Sequence, residues 1–246
     1  MKRRSVAVLL TAACALAQAA PRLTVTTEPS GPYSVRDGEH VGSLSTDMVR
    51  AMLDRAGVDY GIELLPWKRA YTAALQRRDT CVYSTTRVPE REHQFKWVGP
   101  ISHGEWVLMG RAGRKFDLRS LEDARRYRIG TYNGDARDQF LRARGFAVDT
   151  AQDELVNPRK LMLDRIDLWA ASTSGTGAML ARLGYAGKIV PVLVFNRVAL
   201  YLACNRAVPD ALVARMNTAL ATMEHDGSAR AIHRKYAGGD RRVRPQ

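Results

Sequence analysis

Cysteine is scarce in this chain: three residues in 246, at positions 14, 81 and 204. That excludes a disulfide-dense scaffold and a thiolate zinc site, which needs several clustered ligands at short spacing. Histidine is equally sparse. His40, His93, His103, His225 and His233 stand at no metal-ligand spacing from one another or from the cysteines, so no metal and no cofactor are expected. Acidic residues fall short of basic ones, 25 against 38, for a formal charge of +13. The cations are scattered through every segment and no nucleic-acid motif accompanies them, which argues against a nucleic-acid partner. Beyond the first twenty residues no apolar run approaches the roughly 20 needed to span a bilayer. Gly175-Thr176-Gly177 lacks the Lys of a phosphate-binding loop, and no Ser-His-Asp order stands out.

What is present begins with a leader. Lys2-Arg3-Arg4 precedes an apolar stretch from Val6 to Leu16, and Ala17-Gln18-Ala19 supplies the small-x-small pattern of a secretory cleavage site. Residues 1–19 read as a signal peptide, cut after Ala19, because a cut after Ala20 would leave Pro21 at the first position. Cys14 is a poor lipid-attachment site, since Thr11 stands where a Leu is expected three residues earlier. Removing the leader takes three cations with it and leaves +10. Cys81 and Cys204 remain, each in an apolar strand-like run. In an oxidising compartment the pair is a disulfide candidate; two buried free thiols are the alternative, because a chain this long builds a core without staples.

The apolar pattern alternates strands and helices, which argues for an α/β fold. Leu23, Val25 and Thr27 alternate as a strand, and Met48, Val49, Met52, Leu53 and Ala56 form a helical face capped by Ser45 or Thr46. Val58 to Leu64 is a second strand. Pro66-Trp67 opens a helix carrying Ala70, Tyr71, Ala74 and Leu75, and a third strand covers 81–84. Further strands are expected at 106–109, 126–131, 146–150, 166–170, 189–195 and 198–204. Helices are expected at 134–144, 157–163, 175–183, 208–225 and 227–236, with a frayed tail from Asp240.

The richest segment is Cys81 to Ile101, CVYSTTRVPEREHQFKWVGPI. A strand runs into hydroxyls at Ser84, Thr85 and Thr86, then into Arg87, Glu90 and Arg91, then into Phe95-Lys96-Trp97. Arginine presents a planar fork that matches both oxygens of a carboxylate, and hydroxyls fill the remaining lone pairs. A solvated charged loop is the plain alternative. The run resembles the strand-hydroxyl-T-P-E-R signature of family 3 periplasmic solute-binding proteins, the amino-acid-type receptors of ABC importers. Pro66-Trp67-Lys68-Arg69-Ala70 resembles a P-W-x-R-A subgroup, and Asn217-Thr-Ala-Leu220, Asp226-Gly227, Ile232 and Tyr236 resemble the family's ending.

That resemblance covers essentially the whole chain after the leader, and it implies the two-lobed type II periplasmic-binding-protein fold. Lobe one is then 22–99 plus 197–246 and lobe two 104–192, with the chain crossing twice, near 99–104 and 192–197. Two sheets are expected, not one continuous sheet. The strands bearing Cys81 and Cys204 both fall in or beside lobe one. The implied location is the periplasm, and the implied partners are a small-molecule ligand and the membrane subunits of an ABC importer, with the receptor itself a monomer.

By the same resemblance Arg91 holds the ligand carboxylate, with Ser84 and Thr86 as hydroxyl contacts and Arg87 as the rival cation. Trp67 either covers a ligand face or belongs to the core. Arg69 is a second anion contact or a surface residue, and Tyr33 and Glu28 match contacts after the first strand. Asn133-Gly134-Asp135-Ala136 opens a helix whose free N–H groups favour an anion, although the family's hydroxyls are replaced here by Asp135, which can cap the helix instead. The clearest departure is Ser172. Receptors for α-amino acids place an Asp five residues after the Asp of R-x-D, and here Arg165-Ile166-Asp167 is followed by Ser172. A hydroxyl pairs poorly with a buried ammonium. Either Asp135 or Glu28 supplies the charge, or the ligand is not a standard α-amino acid. No enzyme activity is expected. The alternatives are a dehydratase-like enzyme on this fold, with Glu90 or His93 as acid or base, and an orphan sensory receptor.

Overall fold

The computed structural model describes residues 22–29 and 43–236. The leader 1–19, Tyr33 and the tail from Asp240 lie outside them. Strands and helices alternate: β1 (Leu23–Thr27), α1 (Leu44–Arg55), β2 (Tyr60–Leu64), α2 (Trp67–Gln76), β3 (Thr80–Thr86) and β4 (Lys96–Arg111) come first. Then follow β5 (Ile129–Tyr132), α3 (Ala136–Ala143), β6 (Val148–Ala151), α4 (Val156–Met162), β7 (Leu168–Ser172), α5 (Thr173–Arg182), β8 (Ile189–Cys204), α6 (Asp210–Asp226) and α7 (Ser228–Tyr236). A 3₁₀ turn, Pro89–Gln94, joins β3 to β4.

The mixed sheet runs in the order β2-β1-β3-β8-β4-β7-β5-β6. Strands joined by a helix pair in parallel, as β1 with β2 and β5 with β6, because a helical crossover returns the chain in the same direction. One half of the molecule holds β1–β3 with a core built on Val25, Met48, Met52, Tyr83, Leu202 and Met216. The other holds β5–β7, with cores around Trp169 and around Leu108, Ile129 and Leu141.

The expected break between two sheets is absent, and this corrects the sequence reading. β4 and β8 are each 16 residues long and pair with each other from Lys96↔Cys204 to Arg111↔Ile189. The segments 99–104 and 192–197, where the chain was expected to cross, lie inside these two strands. The ladder shifts register between Val98 and Ser102, where Gly99-Pro100 interrupts it. There the Asn217 side chain accepts from Gly99 N at 3.1 Å and donates to Trp97 O at 3.3 Å, pinning α6 to the crossing. The expected cap of α1 is also corrected. Ser43, not Ser45 or Thr46, accepts from Thr46 N at 3.1 Å. Ser45 and Thr46 instead turn their hydroxyls to Ser102 and to Tyr83.

Cys81 and Cys204 stand directly opposite each other in the β3–β8 ladder, both fully buried, with Cα atoms 3.9 Å apart and sulfurs bonded. The bond closes a loop of 123 residues that contains the whole second half. Its reduction therefore releases a large denatured-state entropy, and unfolding in urea with reductant should show a stability lower by about 2–4 kcal/mol. Superimposable unfolding curves with and without reductant would contradict this.

Candidate functional site

Where the halves meet, the first contributes an aromatic wall. Trp67, Tyr71, Phe95, Trp97 and Tyr201 follow one another with ring centroids 5.2–5.8 Å apart, mostly edge to face. Their spacing follows from local structure. Trp67 and Tyr71 share one face of α2, and Phe95 and Trp97 lie two apart at the entry to β4, on one side of an extended chain. Two arginines rest on this wall. Arg91 lies over Tyr71 at 4.8 Å, and Arg87 over Trp97 and Tyr201 at 5.6 and 5.5 Å.

The arginines differ in what else they do. Arg87 is exposed and its guanidinium pairs with Glu92 of the same loop. Arg91 is 1% exposed and reaches across to the other half. Its Nη2 donates to Gly134 O at 3.0 Å and its Nε to Gln139 Oε1 at 3.1 Å. Trp67 Nε1 donates to the same Gly134 carbonyl at 2.9 Å. Gly134 can offer that carbonyl because its φ of 80° suits glycine and turns the backbone sharply between β5 and α3. Arg91 Nη1 is buried and has no hydrogen-bond partner among the described residues. A buried unsatisfied guanidinium N–H is costly, and a carboxylate oxygen is the natural acceptor for it.

Beyond Gly134 lies a buried ionic cluster. Asp135 caps α3 through Arg137 N at 2.7 Å and also holds the Arg137 side chain, Nε at 2.7 Å and Nη2 at 3.1 Å. Glu154 Oε1 is 3.1 Å from Arg137 Nη2. Glu28, at the end of β1 in the first half, accepts from Tyr132 Oη at 2.9 Å. Burial works against ionisation of Asp135, but Arg137's charge and hydrogen bonds outweigh it and hold the carboxyl below its usual range. Glu154 has weaker pairing. Burial, then the neighbouring Asp135, leave it raised to about 7 despite Arg137. Glu28 is partly exposed as a residue, but its carboxyl is out of water. Burial first, then Glu154, raise it to about 8.

Of the residues singled out in the sequence, Arg91, Trp67, Asp135 and Glu28 thus converge on the turn at 132–137. Thr86 is buried, pairs with Leu200 and lines a cavity of about 290 Å³ shared with Arg87, Phe140 and Arg144. Ser84 sits beside it in a β-bulge with φ 59°, a left-handed conformation that re-aims the end of β3. Ser172 ends β7 and caps α5, accepting from Ser174 N at 3.3 Å. It adjoins a second cavity, of about 560 Å³, lined by His103, Gly104, Glu105, Ser174 and Arg197 at the crossing strands. Arg69 is exposed and stands outside this network. Asp167, of the R-x-D motif, serves structure. It accepts from Arg128 N at 2.9 Å and from Arg114 Nη2 at 2.9 Å. Sequence reasoning missed Tyr132, Arg137, Gln139 and Glu154. Only the cap at Asp135 hinted at them, since a charged cap opening a helix needs a counter-ion once it is buried.

Residues 23–239 match the family model of the bacterial extracellular solute-binding proteins, family 3. The L-cystine-binding protein TcyJ of Escherichia coli (strain K12) is 22% identical over 222 residues, covering 87% of this chain and 80% of that protein. Among solved structures, a histidine kinase sensor domain with similarity to periplasmic binding proteins superposes with a TM-score of 0.78 at 18% identity, covering 88% of this chain and 96% of that one. An ancestral arginine-binding protein bound to glutamine does so with a TM-score of 0.73 at 21% identity, covering 90% and 100%. These likenesses establish the two-lobed type II fold. Among the described residues no helix is long and apolar enough to cross a membrane.

The ionic cluster yields a direct prediction. Asp135→Ala removes both the α3 cap and the bidentate partner of a buried guanidinium, and should cost about 3–5 kcal/mol in urea unfolding. Adding Arg137→Met should recover part of that loss, because it also removes the stranded charge. Simple additivity of the two losses would show that the pair is not coupled.

Proposed function

This chain belongs to the family 3 bacterial extracellular solute-binding proteins, and we propose that it captures a small carboxylate-bearing solute, an amino acid or a related metabolite, in the periplasm and delivers it to an ABC importer. On this reading the lobes are 22–99 plus 197–246 and 104–192, hinged at β4 and β8, and the receptor works as a monomer after loss of residues 1–19. The observation that carries the proposal is Arg91. It is a buried guanidinium on one half, seated on an aromatic ring, aimed at a helix-opening turn of the other half, with one nitrogen free for an acceptor.

The carboxylate would take Arg91 Nη1, with Trp67 covering an apolar or planar part of the solute; Ser84 and Thr86, at the end of β3, are the hydroxyl contacts that the family resemblance implies. Asp135 is committed to Arg137 and is poorly placed to serve as the partner of a ligand ammonium. Ser172 offers only a hydroxyl, itself used as a helix cap. Standard amino acids should therefore bind weakly, and a carboxylate whose amine is absent or modified should bind better. A sensory role without an importer is the second reading, favoured by the likeness to a kinase sensor domain. Co-purification with membrane subunits, or solute uptake lost on deletion, separates the two.

A thermal-shift panel of amino acids, N-modified amino acids and plain carboxylates tests the site. A solute at 100 times its Kd should stabilise the fold by about 2.7 kcal/mol, several degrees at roughly 2–4 °C per kcal/mol. Arg91→Ala should keep its fold and lose that response. Ser172→Asp, which preserves the cap, should gain response to standard amino acids. Strong selective stabilisation of the wild type by arginine or glutamine would overturn the solute class, and an undiminished response in Arg91→Ala would overturn the clamp.

A further inference from the structure

We propose that closing the cleft takes up a proton. Glu28, carried by one half, is pressed on closure against an acidic turn of the other, so that acid favours the closed form and ionisation of Glu28 loosens it. The inference rests on the reading that the two halves close on a solute, and it concerns how that closure is regulated.

The geometry is a mismatch of charge across the cleft. Glu28 belongs to the half that carries β1. Among the described residues the titratable groups that act on it across the cleft are Tyr132 from β5, Asp135 and Arg137 from the start of α3, and Glu154 from the loop after β6, with Asp153 beside it. A single cation, Arg137, already serves two carboxylates there, Asp135 through Nε and Nη2 and Glu154 through Nη2. Arg91, on Glu28's own half, has its Nε and Nη2 committed to Gln139 and Gly134. Among the described residues a third carboxylate thus arrives beside a cation, Arg137, that two others already share. The hydrogen bond from Tyr132 Oη holds Glu28 in place whether or not it is charged, because burial first, then the surrounding acids, keep that phenol neutral.

The sign follows from where Glu28 titrates. With the halves apart its carboxyl returns towards the ordinary range, near 4.5, whereas in the closed form burial and Glu154 raise it to about 8. The closed form therefore binds the extra proton. Its advantage is complete below the ordinary range and is lost as pH rises through about 8. Between those limits the closure constant falls by up to about tenfold per pH unit. Glu154 titrates in an overlapping range, but Arg137 and Asp135 lie on its own half, so its charge acts on closure chiefly through Glu28.

The test needs no solute. Small-angle scattering and tryptophan emission of the full chain are followed between about pH 5.5 and 9. Trp67 reports opening, because its indole leaves a buried site against Gly134. The wild type should expand and its emission shift to the red as pH rises. Glu28→Gln should stay compact across the range. Trp67→Phe should keep the scattering transition and lose most of the emission change. Glu154→Gln, which relieves the repulsion on ionised Glu28 in the closed form, should move the transition to higher pH. A wild type flat in both signals, or a Glu28→Gln variant with the wild-type transition, overturns the proposal. Should Glu28→Gln fail to fold, an unmoved transition in Glu154→Gln does so. A pH transition that persists while no carboxylate responds through Arg91 would leave proton uptake standing and remove the solute reading.

Discussion

The carbonyl of Gly134 is the point on which the site depends. It accepts from Trp67 Nε1 and from Arg91 Nη2 at 2.9 and 3.0 Å, two donors from one half meeting a single acceptor on the other. Both donors need partners because both are buried, and both are held by rigid surroundings: Trp67 by the first turn of α2, Arg91 by the Tyr71 ring beneath it. A carbonyl with two lone pairs can satisfy both, and only a left-handed glycine presents it there without strain. Arg91 Nη1 remains the nitrogen of that fork without a hydrogen-bond partner among the described residues.

Around this point the molecule is arranged so that approach of the halves is opposed as well as favoured. Apolar contact favours it. Trp67, Phe95 and Val82 of the first half share a cluster with Tyr132 and Ala151 of the second. On our proposal charge opposes it, through Glu28, which Tyr132 holds beside the Asp135–Arg137–Glu154 cluster. Two long paired strands, β4 and β8, run between the halves, with register shifts at Val98–Ser102, Trp106–Val107 and Leu108–Met109. A receptor that captures and releases needs such a balance, since a solute shifts an equilibrium only by its differential affinity for the two forms.

Much of this was legible in the residues. The period-2 run Leu23, Val25, Thr27 and the helical face of Met48 to Leu53 are where the sequence pattern put them, because burial of one face is a local signal. Arg91 stood out through its place in a motif, and the bonded Cys81 and Cys204 face each other across adjacent strands. Three things were hidden. The pairing of β4 with β8 joins residues about a hundred apart, and nothing local says that the two strands pair along their whole length into one sheet. The cap of α1 is Ser43, the extended residue before the helix, while Thr46 lies inside the first turn and its hydroxyl meets Tyr83, a contact 37 positions away. The partners of Arg91 and Asp135 became visible only once α3 and the loop after β6 were folded beside them, because an ion pair leaves no periodic trace in sequence.

The central claim is that Arg91 holds a solute carboxylate between the two halves. The crystal structure of the protein with the strongest carboxylate from a thermal-shift panel tests it most directly. A carboxylate oxygen within about 3 Å of Arg91 Nη1, with Trp67 against the body of the solute, is the predicted result. A solute bound elsewhere, with Arg91 still engaged only by Gly134 and Gln139, would contradict it.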